Sequence, residues 1–261
     1  MTDRMPVVFV SHGAPDALIN APETVALWSE IGQSLPEPAA ILVVSAHWEA
    51  RLPTVSLSSS PETLHDFSGF PPELYRMQYC APGAPALAER VVSLLAAAGL
   101  AAERHSSRGL DHGAWVPLSA MYPQANVPVT QLSLVQNADP ASHFELGRAL
   151  APLREEGVLI VGSGAITHNF AWLDGRAKSD KAPLPQAVAF NEWVAGRLAA
   201  QDIPAVLAYR AAPHGAEAHP SQEHFLPLVV ALGAANGATP VRYRPGFTYG
   251  SLSMDAYVWR D

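Results

Sequence analysis

Three stretches decide the fold: Val7-Val8-Phe9-Val10-Ser11-His12, Ile41-Leu42-Val43-Val44-Ser45-Ala46-His47, and Val158-Leu159-Ile160-Val161-Gly162-Ser163-Gly164-Ala165-Ile166-Thr167-His168. Each opens on an apolar, largely β-branched run too short for a helix and then turns small or polar, which predicts buried strands over 7–10, 41–44 and 158–161. A fourth run, 127–134, reads the same way, although Pro128 places its start at a sheet edge or outside the strand. Helical spacing fills the intervals. Residues 86–98 put Leu87, Val91, Leu94, Leu95 and Ala98 on one stripe, with Gly99 as the stop. Asp139-Pro140 reads as an N-cap followed by proline at the first helical position, opening a helix through Leu150. Residues 184–200 and 221–235 read as two more helices, with Gly237 beyond the second and Pro227 expected to kink its first half.

Strand alternating with helix predicts an α/β fold, a mostly parallel central sheet with helices on both faces. No Gly/Ser linker, charge block or repeat divides the chain, so residues 1–261 read as a single domain. At 261 residues and 49% hydrophobic, the chain can bury a continuous core. Residues 61–85 form a proline-rich excursion, and Phe67, Phe70, Tyr75 and Tyr79 within it argue for order.

Sixteen basic against 24 acidic side chains give a charge of −8, and no cluster of Lys and Arg appears, so nucleic acid is not an expected partner. The single Cys80 rules out an intramolecular disulfide or a thiolate metal cage. The first apolar run ends at His12, too short for a signal segment, and no stretch reaches the ~18 apolar residues of a membrane span. A cytoplasmic location without a membrane partner is the expectation, and a homo-oligomer stays open.

Ten histidines are the informative feature of the composition. In an open parallel sheet, ligands collect outside the carboxyl ends of the strands, so His12, His47 and His168 are expected at one edge. His224, within His219-Pro220-Ser221-Gln222-Glu223-His224-Phe225, would add a fourth imidazole from another side. Imidazole nitrogen suits first-row divalent ions such as Zn, Fe(II), Cu and Ni. Taken singly, each ring is as readily a hydrogen-bonded residue near the surface; repetition at equivalent strand ends favours a metal site. His112 either contacts substrate or follows an Asp111 that caps a helix beginning near Ala114. His65, His105, His143 and His214 read as surface residues, and His219 as a structural helix-entry residue. Gly162-Ser163-Gly164 begins like a dinucleotide fingerprint, but Thr167 stands where the third glycine belongs. A nucleophile elbow, a Walker lysine loop and a zincin helix are all missing from the sequence. Metal chemistry alone leaves open a Zn-dependent hydrolase, or a metal-binding protein without catalysis.

Seven short motifs narrow this choice. They are Phe9-Val-Ser-His-Gly-Ala-Pro15, Ser45-Ala-His-Trp-Glu49, Asp66-Phe-Ser-Gly-Phe-Pro71, Leu110-Asp-His-Gly-Ala-Trp-Val-Pro-Leu118, Gly162-Ser-Gly-Ala-Ile-Thr-His-Asn169, His219-Pro-Ser-Gln-Glu-His-Phe-Leu-Pro-Leu228 and Gly250-Ser-Leu-Ser-Met254. Together, spanning almost the whole chain in one order, they resemble the class III extradiol ring-cleaving dioxygenases, in particular the DOPA-dioxygenase-like group. The resemblance implies one divalent metal per chain, Fe(II) for activity with Zn(II) as an alternative bound species. It also implies insertion of O2 into a DOPA-like or related catechol to give a ring-opened semialdehyde. It makes His12, His47 and His224 the metal ligands and puts His168 at the acid/base position, close enough to serve as a fourth ligand. His112 falls beside the substrate hydroxyl or dioxygen. Relatives that cleave protocatechuate-type substrates use two histidines and a carboxylate, and Glu223 adjoins His224; His224 is the expected third ligand. The aromatic excursion from Phe67 to Tyr79, with Phe70 and Tyr75, reads either as a substrate wall or lid or as a packed surface loop.

Overall fold

The computed structural model describes residues 4–173 and 182–260. Strands follow in chain order as β1 (Val7–Ser11), β2 (Ala40–Ala50), β3 (Thr54–Ser56), β4 (Glu103–His105), β5 (Val129–Val135), β6 (Val158–Gly164), β7 (Pro240–Tyr243), β8 (Phe247–Thr248), β9 (Leu252–Ser253) and β10 (Ala256–Trp259). Helices are α1 (Ala17–Asn20), α2 (Pro22–Ser34), α3 (Pro85–Ala97), α4 (His112–Met121), α5 (Pro140–Leu150), α6 (Pro185–Ala199), α7 (Ile203–Leu207), α8 (Gly215–Ala218) and α9 (Leu226–Ala234).

Eight strands form one sheet in the order β4-β3-β5-β2-β6-β1-β10-β7, and β8 pairs with β9 apart from it. The central run β5-β2-β6-β1 is parallel throughout. The flanks are mixed, because β3 runs antiparallel to β5, and β10 runs antiparallel to both β1 and β7. The four apolar runs of the sequence are β1, β2, β5 and β6, and β5 begins one residue after Pro128, whose carbonyl accepts the Ile41 N–H. Alternation along these buried strands divides the core in two. Val7, Phe9, Leu42, Val44 and Ile160 pack with α3, α5, α6 and α9, whereas Val8, Val10, Ile41, Val43 and Val161 pack with α2 and α4. Each such fully buried Val, Leu or Ile stabilises the fold by roughly 1.5–3 kcal/mol relative to exposure.

The expected helix over 221–235 is shorter in the structure. It starts at Leu226, so Pro227 sits in its first turn, where a missing N–H breaks no hydrogen bond, and no kink is needed. His224 therefore lies in the turn before α9 instead of on a helix. Asp139 caps α5 as expected, accepting from the Ser142 N–H. Between residues 61 and 84 the one helical element is the 3-10 turn Leu74–Arg76, and the stretch is anchored by fully buried Leu74 and by the Tyr79 hydroxyl donating to the Tyr122 carbonyl. Among the described residues, no helix is long and apolar enough to cross a membrane.

Candidate metal centre

His12 follows the last residue of β1 and is buried. His47 departs from expectation: β2 continues to Ala50, so the residue lies inside a strand. The β2–β5 register shifts between Val44 and Glu49, an irregularity of the kind that re-aims a side chain, and His47 falls within it. His168 comes four positions after the end of β6, and its N–H is held by the Ala218 carbonyl. His224 arrives from the opposite direction. The Ala165 N–H donates to its carbonyl, and a Cβ on Gly164 would collide with that same oxygen, as one on Gly162 would collide with the Pro227 carbonyl. The Gly-Ser-Gly segment is thus explained by close approach of the turn and α9 to β6, not by a cofactor.

Donor atoms of His12, His47 and His224 all lie within 4.8 Å of one another. The Nε2 atoms of His12 and His47 are 3.1 Å apart. Ser163 fixes the His12 tautomer. Its hydroxyl proton goes to the Gly113 carbonyl, so its oxygen, 2.9 Å from His12 Nδ1, must accept an N–H there. That leaves Nε2 with a lone pair. In the same way Glu223 Oε1 stands 3.1 Å from His224 Nδ1, which turns the proton outward and Nε2 inward. A carboxylate or hydroxyl behind each ligating imidazole is the usual support of a metal site. Two ligands at right angles around an ion about 2.1 Å away would sit ~3.0 Å apart, so the donor set fits a divalent ion.

Burial, reinforced by the neighbouring imidazoles, pushes His12 and His224 well below the ordinary histidine range and brings His47 down to about 4. These rings are neutral donors at pH 7. His168 stacks face to face on His224, with centroids 3.4 Å apart and planes within 5°, and it belongs to a second cluster with Glu223 and His224. Burial lowers its pKa, while Glu223 pulls the other way.

His112 opens α4, and the capping role read for Asp111 is present. Asp111 caps the helix by accepting from the Ala114 N–H, and it also takes hydrogen bonds from Ser45 and Gln131. His112 itself faces the cluster, its ring 3.9 Å from that of His47. Its Nδ1 lies 3.0 Å from Asp66 Oδ1. Burial opposes ionisation of Asp66, yet the His112 hydrogen bonds outweigh it and bring the carboxyl down to about 2.

A cavity of about 520 Å³ opens over the cluster, lined by His47, His112, His168 and His224 on one side and by Phe67, Phe70, Phe170 and Leu252 on the other. Of the two aromatic residues singled out in the excursion, Phe70 lines this cavity. Tyr75 is not among its lining residues; it packs at a tilt against Phe67, centroids 5.1 Å apart, with its hydroxyl 3.5 Å from the Phe70 nitrogen. Phe170, at the mouth, is 76% exposed. His105 and His214 are exposed, as read, and His65 is half-buried. His143 corrects the reading: it is buried, with Nδ1–H donating to the Asp139 carbonyl and Nε2 accepting from the Val135 N–H. His219 is structural, its Nε2–H bonded to the Ile166 carbonyl.

Residues 7–254 match the family model described as the catalytic LigB subunit of aromatic ring-opening dioxygenase. The chain belongs to the LigB family. Among its relatives, a protein of Escherichia coli (strain K12) named 4,5-DOPA dioxygenase extradiol is 41% identical over 96% of this chain and 93% of its own. One of the same name from Beta vulgaris is 45% identical over 87% and 85%. A crystal structure of an uncharacterized protein from Escherichia coli K12 superposes with a TM-score of 0.82 at 37% identity, covering 98% of this chain and 100% of that one. As a LigB-family member the protein is a metal-dependent extradiol dioxygenase, an aromatic ring-opening oxidoreductase acting on catechol-like substrates.

Proposed function

We propose that the chain works as one catalytic domain in which His12, His47 and His224 hold a single Fe(II), and that it opens a small DOPA-like catechol beside its hydroxyl pair. The observation that carries the ligand assignment is the convergence of three imidazoles whose Nδ1 sides face protein acceptors, two at hydrogen-bond distance and the third, His47, at 3.6 Å from Asp66. Glu223 is assigned to orient His224, because its carboxylate oxygen already stands at the His224 Nδ1.

When bound, a redox-active ion supplies the electron path between a singlet catechol and triplet O2, which Zn(II) does not. The chain's own residues do the rest. Phe67, Phe70 and Phe170 bury the aromatic ring and exclude water, and the histidine side of the cavity receives the hydroxyl pair. Holding the ring in one orientation removes much of the encounter entropy. His168, set against His224 and kept neutral by burial, accepts a proton from a catechol hydroxyl and returns it as the ring opens. His112, with Nδ1 committed to Asp66, presents Nε2 as an acceptor toward the same hydroxyls. Both oxygen atoms of O2 end in the product, a ring-opened semialdehyde.

The test is anaerobic reconstitution with Fe(II), then exposure of a catechol panel to air while the yellow ring-opened product is monitored. Oxygen-dependent product formation with Fe(II), and none with Zn(II), is expected. Turnover that persists without O2 would overturn the proposal in favour of hydrolysis.

A further inference from the structure

We infer that Asp66 is a positioning residue that fixes the tautomers of two imidazoles, His112 on the substrate side and His47 on the metal side. This rests on the functional reading above and deepens it.

Asp66 belongs to the irregular stretch 61–85, remote in sequence from both rings. Its Oδ1 lies 3.0 Å from His112 Nδ1 and accepts the His112 backbone N–H at 2.9 Å. That N–H is the first of α4, one of the donors a helix leaves unsatisfied at its start. One oxygen thus secures both the helix terminus and its first side chain. The other, Oδ2, faces His47 Nδ1 at 3.6 Å, beyond hydrogen-bond length but close enough for the carboxylate charge to favour a proton on that nitrogen. An ionised carboxylate only accepts, so each ring is driven to place its proton on Nδ1. A neutral imidazole has one such proton, and Nε2 is left as a lone pair on both rings. For His47 this is the atom that meets His12 at 3.1 Å. For His112 it is the nitrogen left free to accept from substrate.

His12 and His224 obtain the same result from separate partners, Ser163 and Glu223. Asp66 differs in serving two rings with different tasks, so its loss affects ion binding and turnover together. An amide cannot replace it, since its NH2 would have to face one of the two Nδ1–H groups. The side chain is only 26% exposed, so water has limited access to compete for these N–H groups.

The experiment uses the full chain and the variants Asp66→Asn, Asp66→Ala and His112→Gln. Zinc affinity is read by competition titration, imidazole tautomers by long-range 1H–15N correlation spectra of the metal-free and zinc-loaded protein, and kcat and KM on the Fe(II) enzyme. Asp66→Asn, which keeps the side-chain shape, is expected to weaken zinc binding about 10-fold or more. Its kcat should fall by at least about 10-fold, with KM changing less than about threefold. Asp66→Ala should move the His112 proton from Nδ1 to Nε2. His112→Gln should lower kcat while leaving zinc affinity within about twofold, which separates the two tasks. Parent-like zinc affinity in Asp66→Asn, or an Nδ1–H tautomer retained by His112 in Asp66→Ala, would overturn the inference. If the parent chain binds no zinc, the functional reading fails, and the tautomer spectra of the full chain still decide the role of Asp66.

Discussion

Nε2 of His12 and Nε2 of His47 face each other at 3.1 Å, although the proton of His12 is held on its far side by Ser163. Two neutral nitrogens directed at one point repel unless a cation lies between them. Adding Zn(II) at about 100 times its Kd should therefore stabilise the fold by about 2.7 kcal/mol, a rise of roughly 5–10 °C in Tm. Differential scanning fluorimetry with and without a chelator reads this directly, and an unchanged Tm would remove the metal centre.

Ser163→Ala takes the acceptor from His12 Nδ1 and the donor from the Gly113 carbonyl. Two buried groups lose partners at a fold cost of about 1–3 kcal/mol, and zinc affinity should drop roughly 10-fold or more. Chemical denaturation and a chelator competition measure the two effects separately.

Gly113 is pinned between the ligands. A Cβ there would collide with Ser45 Oγ and come within 3.2 Å of both His12 Nδ1 and His47 Cδ2. Gly113→Ala should push the two rings apart and cost more in metal affinity than in stability. A variant with parent-like zinc binding would show that the rings tolerate displacement.

His168→Ala should retain zinc affinity within about threefold while kcat falls about 100-fold to 10,000-fold, the range usual for loss of a general acid or base. Equal losses in affinity would instead mark His168 as a ligand.

Two buried histidines outside the ligand set predict acid sensitivity. Burial lowers the pKa of His143, against the partial opposition of the Asp139 carbonyl, and it lowers that of His219 to about 3. The unfolded chain takes up these protons near pH 6.5, whereas the folded chain resists them. Stability is thus complete above about pH 6.5 and falls as pH drops from there toward the lowered folded values, each group contributing at most about 1.4 kcal/mol per pH unit. His143→Gln, able to donate to Asp139 and accept from Val135, should flatten the decline between pH 6.5 and 4.5 in chelator-treated protein. A slope identical to the parent's would show that His143 does not titrate on unfolding.

Strong local signals made the central strands, α3, the capped α5 and the placement of His12 and His168 beyond strand ends legible in the sequence. Strand hydrophobicity and the rule for strand carboxyl ends are enough to predict them. The flanking strands β3, β4, β7 and β10 are three or four residues long, and the register shift that aims His47 depends on its partner strand, so neither has a sequence period. His143 looked like a surface residue because its neighbours in sequence are polar; its ring is turned inward on α5. The supporting roles of Asp66, Ser163 and Glu223 depend on contacts across 46, 151 and one positions respectively. Only Glu223 adjoined its partner, and adjacency alone does not distinguish a ligand from its support.

The strand that carries His12 is flanked by β6 and β10, both contributed by residues more than 140 positions downstream. During synthesis β1 has no strand neighbour until β6 has followed it, more than 140 positions later, and its other edge stays open until β10 arrives. Residues through β10 must therefore leave the exit tunnel before the strand preceding His12 is paired on both sides. Translation truncated before residue 256 should yield a product whose first strand is exposed along one edge.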